Sequence, residues 1–159
     1  MPKFAAWDDQ AAQELIEARK AMPGALLPIL HALQERFDYV DRQIVPALAK
    51  ALNLSRAEVH GVISFYHEFR DHPPGAHVVR LCRAEACQSM GNERLIAHAK
   101  NRLGVDFHET TADGRFTLEA VYCLGNCACA PALTIDNKVH GRVDPARFDQ
   151  LLDDAGKWP

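Results

Sequence analysis

The sequence predicts an α/β protein in which a small helical bundle at the N-terminus precedes an α/β domain. Hydrophobic residues recur at helical spacing through most of the first half. The run Asp71-His72-Pro73-Pro74-Gly75 disfavours both helix and strand. Alternating, strand-like segments occur only after that run. The predicted domains are therefore residues 1–75 and residues 76–159.

The first two predicted helices have recognisable ends. Asp8 or Asp9 is a suitable N-cap for the first helix, and Pro23-Gly24 stops it. The second helix covers about residues 25–37, and it tolerates Pro28 because this proline falls in its first turn.

Two more helices follow before the proline-rich run. The third covers about residues 41–52, with Asn53 as a left-handed C-cap. Ser55 and Glu58 have the spacing of a capping box, so they open a brief fourth helix. The aromatic-rich segment at residues 62–69 is expected to pack in the core, because aromatic side chains bury large areas.

The second half alternates strands with helices, a pattern that predicts helices packed against a small sheet. Its predicted elements are a strand over residues 77–81, a helix over 92–103, a strand over 116–122, a hairpin over 133–140 and a final helix opened by Asp144-Pro145. Each of the first two strands runs directly into a pair of cysteines.

Four of the five cysteines form two closely spaced pairs. Cys82 and Cys87 form the first cysteine pair, and Cys123 and Cys127 form the second. Four residues separate the members of the first pair and three separate those of the second. Short spacings with small residues between them let thiolates converge on one metal centre.

Three chemistries could use these cysteines. The N-terminal segment lacks the apolar core of a signal peptide, so we expect a chain with reduced thiols and no disulfide framework. Zinc ribbons most often have two residues between paired cysteines, which neither pair has. A [2Fe–2S] cluster tolerates wider gaps. The spacing favours the cluster, and a zinc-stapled interaction module without redox activity stays open as the alternative.

Composition and the remaining motifs exclude several other functions. The net charge is −3 with scattered basic residues, so nucleic acid is not an expected partner. No apolar run reaches the length of about 18 residues that spans a bilayer, and direct membrane insertion is not expected. No histidine follows a cysteine at Rieske spacing, and no glycine-rich nucleotide fingerprint is present. We assign no catalytic residue to this chain.

Several motifs together carry a family resemblance. These are YCLGNC followed by APAL, the hairpin sequence NKVHGRV, and the upstream segments LPILHALQERFDYV and VHGVISFYHEF. The chain resembles the thioredoxin-like [2Fe–2S] ferredoxin subunits of NADH:quinone oxidoreductase, and more closely the gamma subunit of soluble NAD-dependent formate dehydrogenase. The resemblance implies a docking domain of helices, a thioredoxin-like α/β domain, and a [2Fe–2S] cluster on Cys82, Cys87, Cys123 and Cys127.

The resemblance also implies a role and partners. The chain would be a non-catalytic electron-transfer subunit of a cytoplasmic NAD-dependent oxidoreductase. Its cluster would exchange single electrons with the FMN of a flavoprotein subunit that also binds NAD(H) and a [4Fe–4S] cluster. A formate dehydrogenase would add a molybdenum or tungsten subunit, whereas the alternatives are NADH:quinone oxidoreductase and an NAD-linked hydrogenase.

One feature departs from the family motif. Cys129 lies two residues after Cys127, where the family needs no thiol. In an extended backbone these two side chains would point the same way, so Cys129 could approach the cluster or replace Cys127 as a ligand. We nevertheless predict Cys127 as the ligand, because its spacing from Cys123 matches the family. The loops around Gly91 and Gly125 are the predicted donors of N–H groups to the cluster.

Overall fold

The structure is a computed structural model that describes residues 6–157. The chain divides into two compact units, with the boundary between Pro73 and Pro74. Each unit has its own hydrophobic core.

Over its described residues, 6–73, the first unit is a bundle of four helices. They are α1 (Asp9–Glu17), α2 (Leu26–Phe37), α3 (Val45–Leu52) and α4 (Arg56–Phe65), with one turn of 3₁₀ helix at Arg42–Ile44 before α3. Their apolar faces meet in a core that includes Ile16, Leu33 and Leu48, none of which has exposed surface.

The predicted caps of this bundle are confirmed. The Asp8 carboxylate accepts the Gln10 N–H at 2.9 Å at the start of α1. Ser55 and Glu58 form a complete capping box on α4, in which each side chain accepts a backbone N–H of the other residue. Asn53 ends α3 with a φ of 53°, in the left-handed region.

The structure corrects the prediction for residues 62–69. Helix α4 continues to Phe65, and its buried side is defined by Val59 and Ile63, one turn apart. Phe65 lies two residues beyond Ile63, about 200° around the helix, and is 74% exposed. Tyr66 is also exposed, whereas Phe69 is buried as expected. Core packing therefore holds for Ile63 and Phe69 and is wrong for the two aromatic residues between them.

From residue 74 to residue 157, the second unit contains a five-stranded sheet and three α-helices. Its elements are β1 (His77–Cys82), α5 (Glu85–Ser89), α6 (Asn92–Leu103), β2 (Glu109–Thr110), β3 (Phe116–Val121), β4 (Leu133–Ile135), β5 (Lys138–His140) and α7 (Pro145–Ala155). A turn of 3₁₀ helix covers Cys127–Cys129. The short elements α5 and β2 are additional to those that the sequence predicts.

The sheet is mixed, in the order β2-β3-β1-β4-β5. β1 and β3 run parallel, with Cys82 opposite Val121. β4 is antiparallel to β1 and continues through a tight turn into β5. The two turn residues, Asp136 and Asn137, both have positive φ, as the twist of a two-residue hairpin requires.

One face of the sheet carries the core of the second unit. Leu81 of β1, Leu118 of β3 and Leu133 of β4 have no exposed surface and pack in one cluster. Leu95 of α6 and Phe148 of α7 complete that cluster, so both long helices pack on this face. Within residues 6–157, no helix has both the length and the apolar character needed to cross a membrane.

Candidate metal centre

The parallel strands β1 and β3 deliver the two cysteine pairs to one edge of the sheet. Cys82 is the last residue of β1, and Cys123 follows the last residue of β3 by two positions. Because Cys82 pairs with Val121, both strands end at the same level. The carboxyl ends of parallel strands share one edge, so the chain turns away from the sheet at both cysteine pairs together.

The first cysteine pair is buried. Cys82 and Cys87 are each 2% exposed and pack with Ala130 and Ala132. The Cys82 N–H donates to the Ala132 carbonyl at 3.1 Å, which fixes the end of β1 against the segment that enters β4. Cys87 lies within the short helix α5.

The second cysteine pair is exposed to solvent. The sulfur atoms of Cys123 and Cys127 are 3.9 Å apart. Two thiolates bound to one tetrahedral metal ion at about 2.3 Å lie about 3.8 Å apart, so this separation suits a shared metal ion. The Gly125 N–H donates to the Cys123 sulfur at 3.3 Å. Cys123 has a φ of 135°, a strained value that non-glycine residues adopt mainly at functional sites.

The thiols influence one another across the two pairs. Burial raises the pKa of Cys87, the neighbouring Ala132 N–H opposes this shift, and the thiols of Cys82 and Cys127 add to it. The pKa of Cys127 is raised chiefly by Cys123, with a smaller effect from Cys82. The pKa values of Cys87 and Cys127 therefore each depend on thiols of both cysteine pairs. Because the raised pKa values favour protonated thiols, metal binding must displace protons from them.

The pairing of the sulfurs fits a two-iron cluster. A [2Fe–2S] core takes two protein ligands on each iron, and the chain offers one buried and one exposed pair. Over residues 6–157, no three Cys, His, Asp or Glu side chains gather closely enough to hold a metal ion, so the structure brings the predicted ligands together as pairs and not as one set of four. When bound, such a cluster supplies reversible one-electron transfer, while the chain supplies thiolates, N–H donors and burial.

The backbone at Cys129 differs from the expected extended form. Cys127 and Cys129 lie in one turn of 3₁₀ helix, closed by the Ala130 N–H on the Cys127 carbonyl at 3.2 Å. Residues two apart in such a helix are separated by about 240° around its axis, so their side chains do not share a face. The sequence-based argument that Cys129 points the same way as Cys127 is wrong.

The N–H donors are only partly those expected. Gly125 donates to a cysteine sulfur as predicted. Gly91 does not, because its N–H bonds the Gln88 carbonyl and its φ of 81° serves the turn between α5 and α6. Sequence reasoning missed the fully buried Asn92, whose side-chain amide donates to the Cys82 carbonyl, and Ala132, whose carbonyl accepts the Cys82 N–H. Both contacts join residues that are not neighbours in the sequence, so no local sequence motif predicts them.

The fold and the paired thiols define an iron–sulfur protein of thioredoxin-like architecture. Residues 12–156 match the family described as thioredoxin-like [2Fe–2S] ferredoxin, and the chain belongs to this family. The predicted family, α/β fold class and [2Fe–2S] cofactor are thereby confirmed. The assignment of the four individual ligands stays a prediction.

Three comparisons show which members the chain is similar to. It is 38% identical to a subunit of the NADH-quinone oxidoreductase of Pseudomonas aeruginosa over 129 residues, covering 81% of this chain and 78% of that protein. It is 30% identical to a subunit of the NADP-reducing hydrogenase of Solidesulfovibrio fructosivorans, covering 96% and 91%. A chain of an NAD⁺-reducing [NiFe]-hydrogenase crystal structure superposes with a TM-score of 0.67 at 27% identity. That match covers 84% of the present chain and 22% of the longer hydrogenase chain.

Proposed function

We propose that this chain is the electron-transfer subunit of a multisubunit NAD-linked oxidoreductase. It holds one [2Fe–2S] cluster on Cys82, Cys87, Cys123 and Cys127 and exchanges single electrons with the FMN of a partner flavoprotein. The observation that carries the proposal is the arrival of two cysteine pairs at one sheet edge, with the second pair 3.9 Å apart. Its similarity to subunits of NADH- and NADP-linked enzymes supports the class of complex.

The chemistry of the cluster explains why a flavin partner is required. NADH and formate give up two electrons together, whereas a [2Fe–2S] cluster takes one at a time. A flavin can accept a pair and release single electrons, so it belongs between the nucleotide and this chain. The chain therefore carries electrons and performs no bond chemistry on a substrate.

The contrast in burial between the pairs suggests the side on which electrons pass. Cys82 and Cys87 are each 2% exposed, whereas Cys123 and Cys127 are exposed. An iron bound by the second pair would lie nearer the surface and so nearer the cofactor of a docked partner. Tyr122 precedes this pair and is 70% exposed, so it is available to contact that partner.

Within this class we propose membership of a cytoplasmic NAD-dependent formate dehydrogenase. The motif YCLGNCACAPAL supports this choice, and the complex would then include a molybdenum or tungsten subunit. NADH:quinone oxidoreductase and NAD-linked hydrogenase are the other candidates, and the relatives from P. aeruginosa and S. fructosivorans favour them.

The proposed domains are residues 1–75 for docking and 76–159 for the cluster, and the division between Pro73 and Pro74 supports this organisation.

Purification of the tagged chain from its native cells tests the proposal. We expect a reddish-brown protein with about two irons and two sulfides per chain and an electron paramagnetic resonance signal on reduction. A colourless zinc protein would contradict the cluster and support the interaction module. A copurifying molybdenum or tungsten subunit supports formate dehydrogenase, whereas membrane subunits would contradict it.

A further inference from the structure

Asn92 is a polar side chain buried beside the first cysteine pair. It is the first residue of α6, has no exposed surface, and donates from its Nδ2 atom to the Cys82 carbonyl. Its Oδ1 atom is buried and has no hydrogen-bond partner among residues 6–157. An unpaired buried oxygen costs free energy, so the amide at this position needs a reason beyond filling space.

The hydrogen-bond pattern at the end of β1 supplies that reason. β1 and β4 are antiparallel with Leu81 opposite Leu133, so the next pair along the ladder is Cys82 and Ala132. The Cys82 N–H donates to the Ala132 carbonyl, as in an ordinary hydrogen-bonded pair. In such a pair, the Ala132 N–H would return to the Cys82 carbonyl.

That second hydrogen bond is replaced. The Asn92 amide bonds the Cys82 carbonyl in the position that the Ala132 N–H would otherwise occupy. The side chain of Asn92 therefore completes the hydrogen bonding at the end of β1, at a residue that is itself a predicted ligand. The turn at Gly91, with a φ of 81°, is what places the start of α6 at this point.

We propose that Asn92 is a positioning residue for the [2Fe–2S] cluster. By satisfying the Cys82 carbonyl, it holds the end of β1, and with it the Cys82 thiol, in place. This inference rests on the proposed ligand set. Partners of metal ligands that act in this way usually change metal affinity by about 10- to 100-fold when they are removed.

Asn92→Leu and Asn92→Ala test the inference in the full-length, cluster-loaded chain. Leucine keeps the branched shape of asparagine without a donor, and alanine avoids any clash that leucine introduces. We expect both variants to assemble the cluster and to release iron to a chelator about tenfold faster than the wild type. We also expect a shifted reduction potential, because a Cys82 thiolate that is no longer held in place changes its contacts with the cluster and its surroundings.

Asn101→Leu is the matched control, since Asn101 lies exposed on the same helix. It should release iron at the wild-type rate and keep the wild-type potential. Wild-type release and potential in a folded Asn92 variant would overturn the inference. Failure of both Asn92 variants to fold would also overturn it, because the residue would then serve the fold as a whole. A wild-type chain without iron would contradict the proposed function as well, and it would be recognised before any variant is made.

Discussion

Gly141 lies so close to Cys129 that a β-carbon on Gly141 would be 2.6 Å from the Cys129 β-carbon. The same atom would be 2.8 Å from the Cys129 carbonyl oxygen. The next residue, Arg142, donates its N–H to that carbonyl at 2.6 Å. The chain that leaves β5 therefore rests directly on the 3₁₀ turn that carries Cys127, and only glycine permits this approach.

Gly141→Ala should destabilise the 3₁₀ turn that carries Cys127. The new methyl group cannot fit without moving the turn at Cys127–Cys129, and overpacking of this kind costs about 1–3 kcal/mol. We expect a lower midpoint of thermal unfolding and faster iron release to a chelator. Gly61→Ala is the control, because Gly61 lies in α4 and, apart from its chain neighbours and the backbone of its own helix, no atom lies within 4 Å of the added carbon. It should stabilise by about 0.5–1 kcal/mol, and a Gly141→Ala protein as stable as wild type would contradict the packing described.

Features set by neighbouring residues could be predicted from the sequence. The strand that ends at Cys82, the caps at Asp8 and Ser55, and the left-handed Asn53 all depend on residues a few positions apart. The same holds for the two cysteine pairs, whose short spacings are visible directly. These features gave the fold class and the approximate position of the metal centre.

Features that depend on packing or on turns between elements could not be predicted. Helix α5 has five residues, too few for a hydrophobic period to be recognised. The exposure of Phe65 depends on how far α4 continues, and aromatic composition alone gives no sign of it. The orientation of Cys129 depends on a 3₁₀ turn in place of extended chain. Asn92 is linked to Cys82 only through the tertiary fold.

Ser55→Ala should lower the stability of the helical unit. The Ser55 hydroxyl accepts the Glu58 N–H at 3.1 Å, and the loss of an N-cap side chain costs about 0.5–2 kcal/mol. Thermal or denaturant unfolding followed by circular dichroism measures this loss. Ser64→Ala removes a hydroxyl from the same helix without removing a cap, so it should have little effect. Equal stability of the two variants would contradict the capping role, and the visible spectrum of the cluster should be unchanged in both.

His140 should make folding sensitive to acid. Burial lowers its pKa below the usual value, and the nearby charges of Lys138 and Arg147 lower it further. The unfolded chain therefore binds a proton on this histidine at a higher pH than the folded chain does. Its contribution to stability is complete above the unfolded pKa of about 6.5 and falls as the pH drops through that value towards the folded pKa.

His140→Gln should therefore flatten the dependence of stability on pH below about 6.5. The measurement is the free energy of unfolding of both proteins at several pH values on either side of that point. His60→Gln is a suitable control, because His60 is exposed. If the wild type and His140→Gln lost stability in parallel as the pH fell, the histidine would not be the group responsible.

The two neighbouring cysteines should respond differently to substitution by serine. The Cys127 sulfur lies 3.9 Å from that of Cys123, as a shared metal ion requires, whereas the 3₁₀ turn directs Cys129 to another face. Cys127→Ser should therefore lose or strongly alter the visible and paramagnetic spectra of the cluster, while Cys129→Ser should keep them. Both variants remove one thiol from the same turn and so control for each other. A normal spectrum in Cys127→Ser together with loss of the cluster in Cys129→Ser would transfer the ligand role to Cys129.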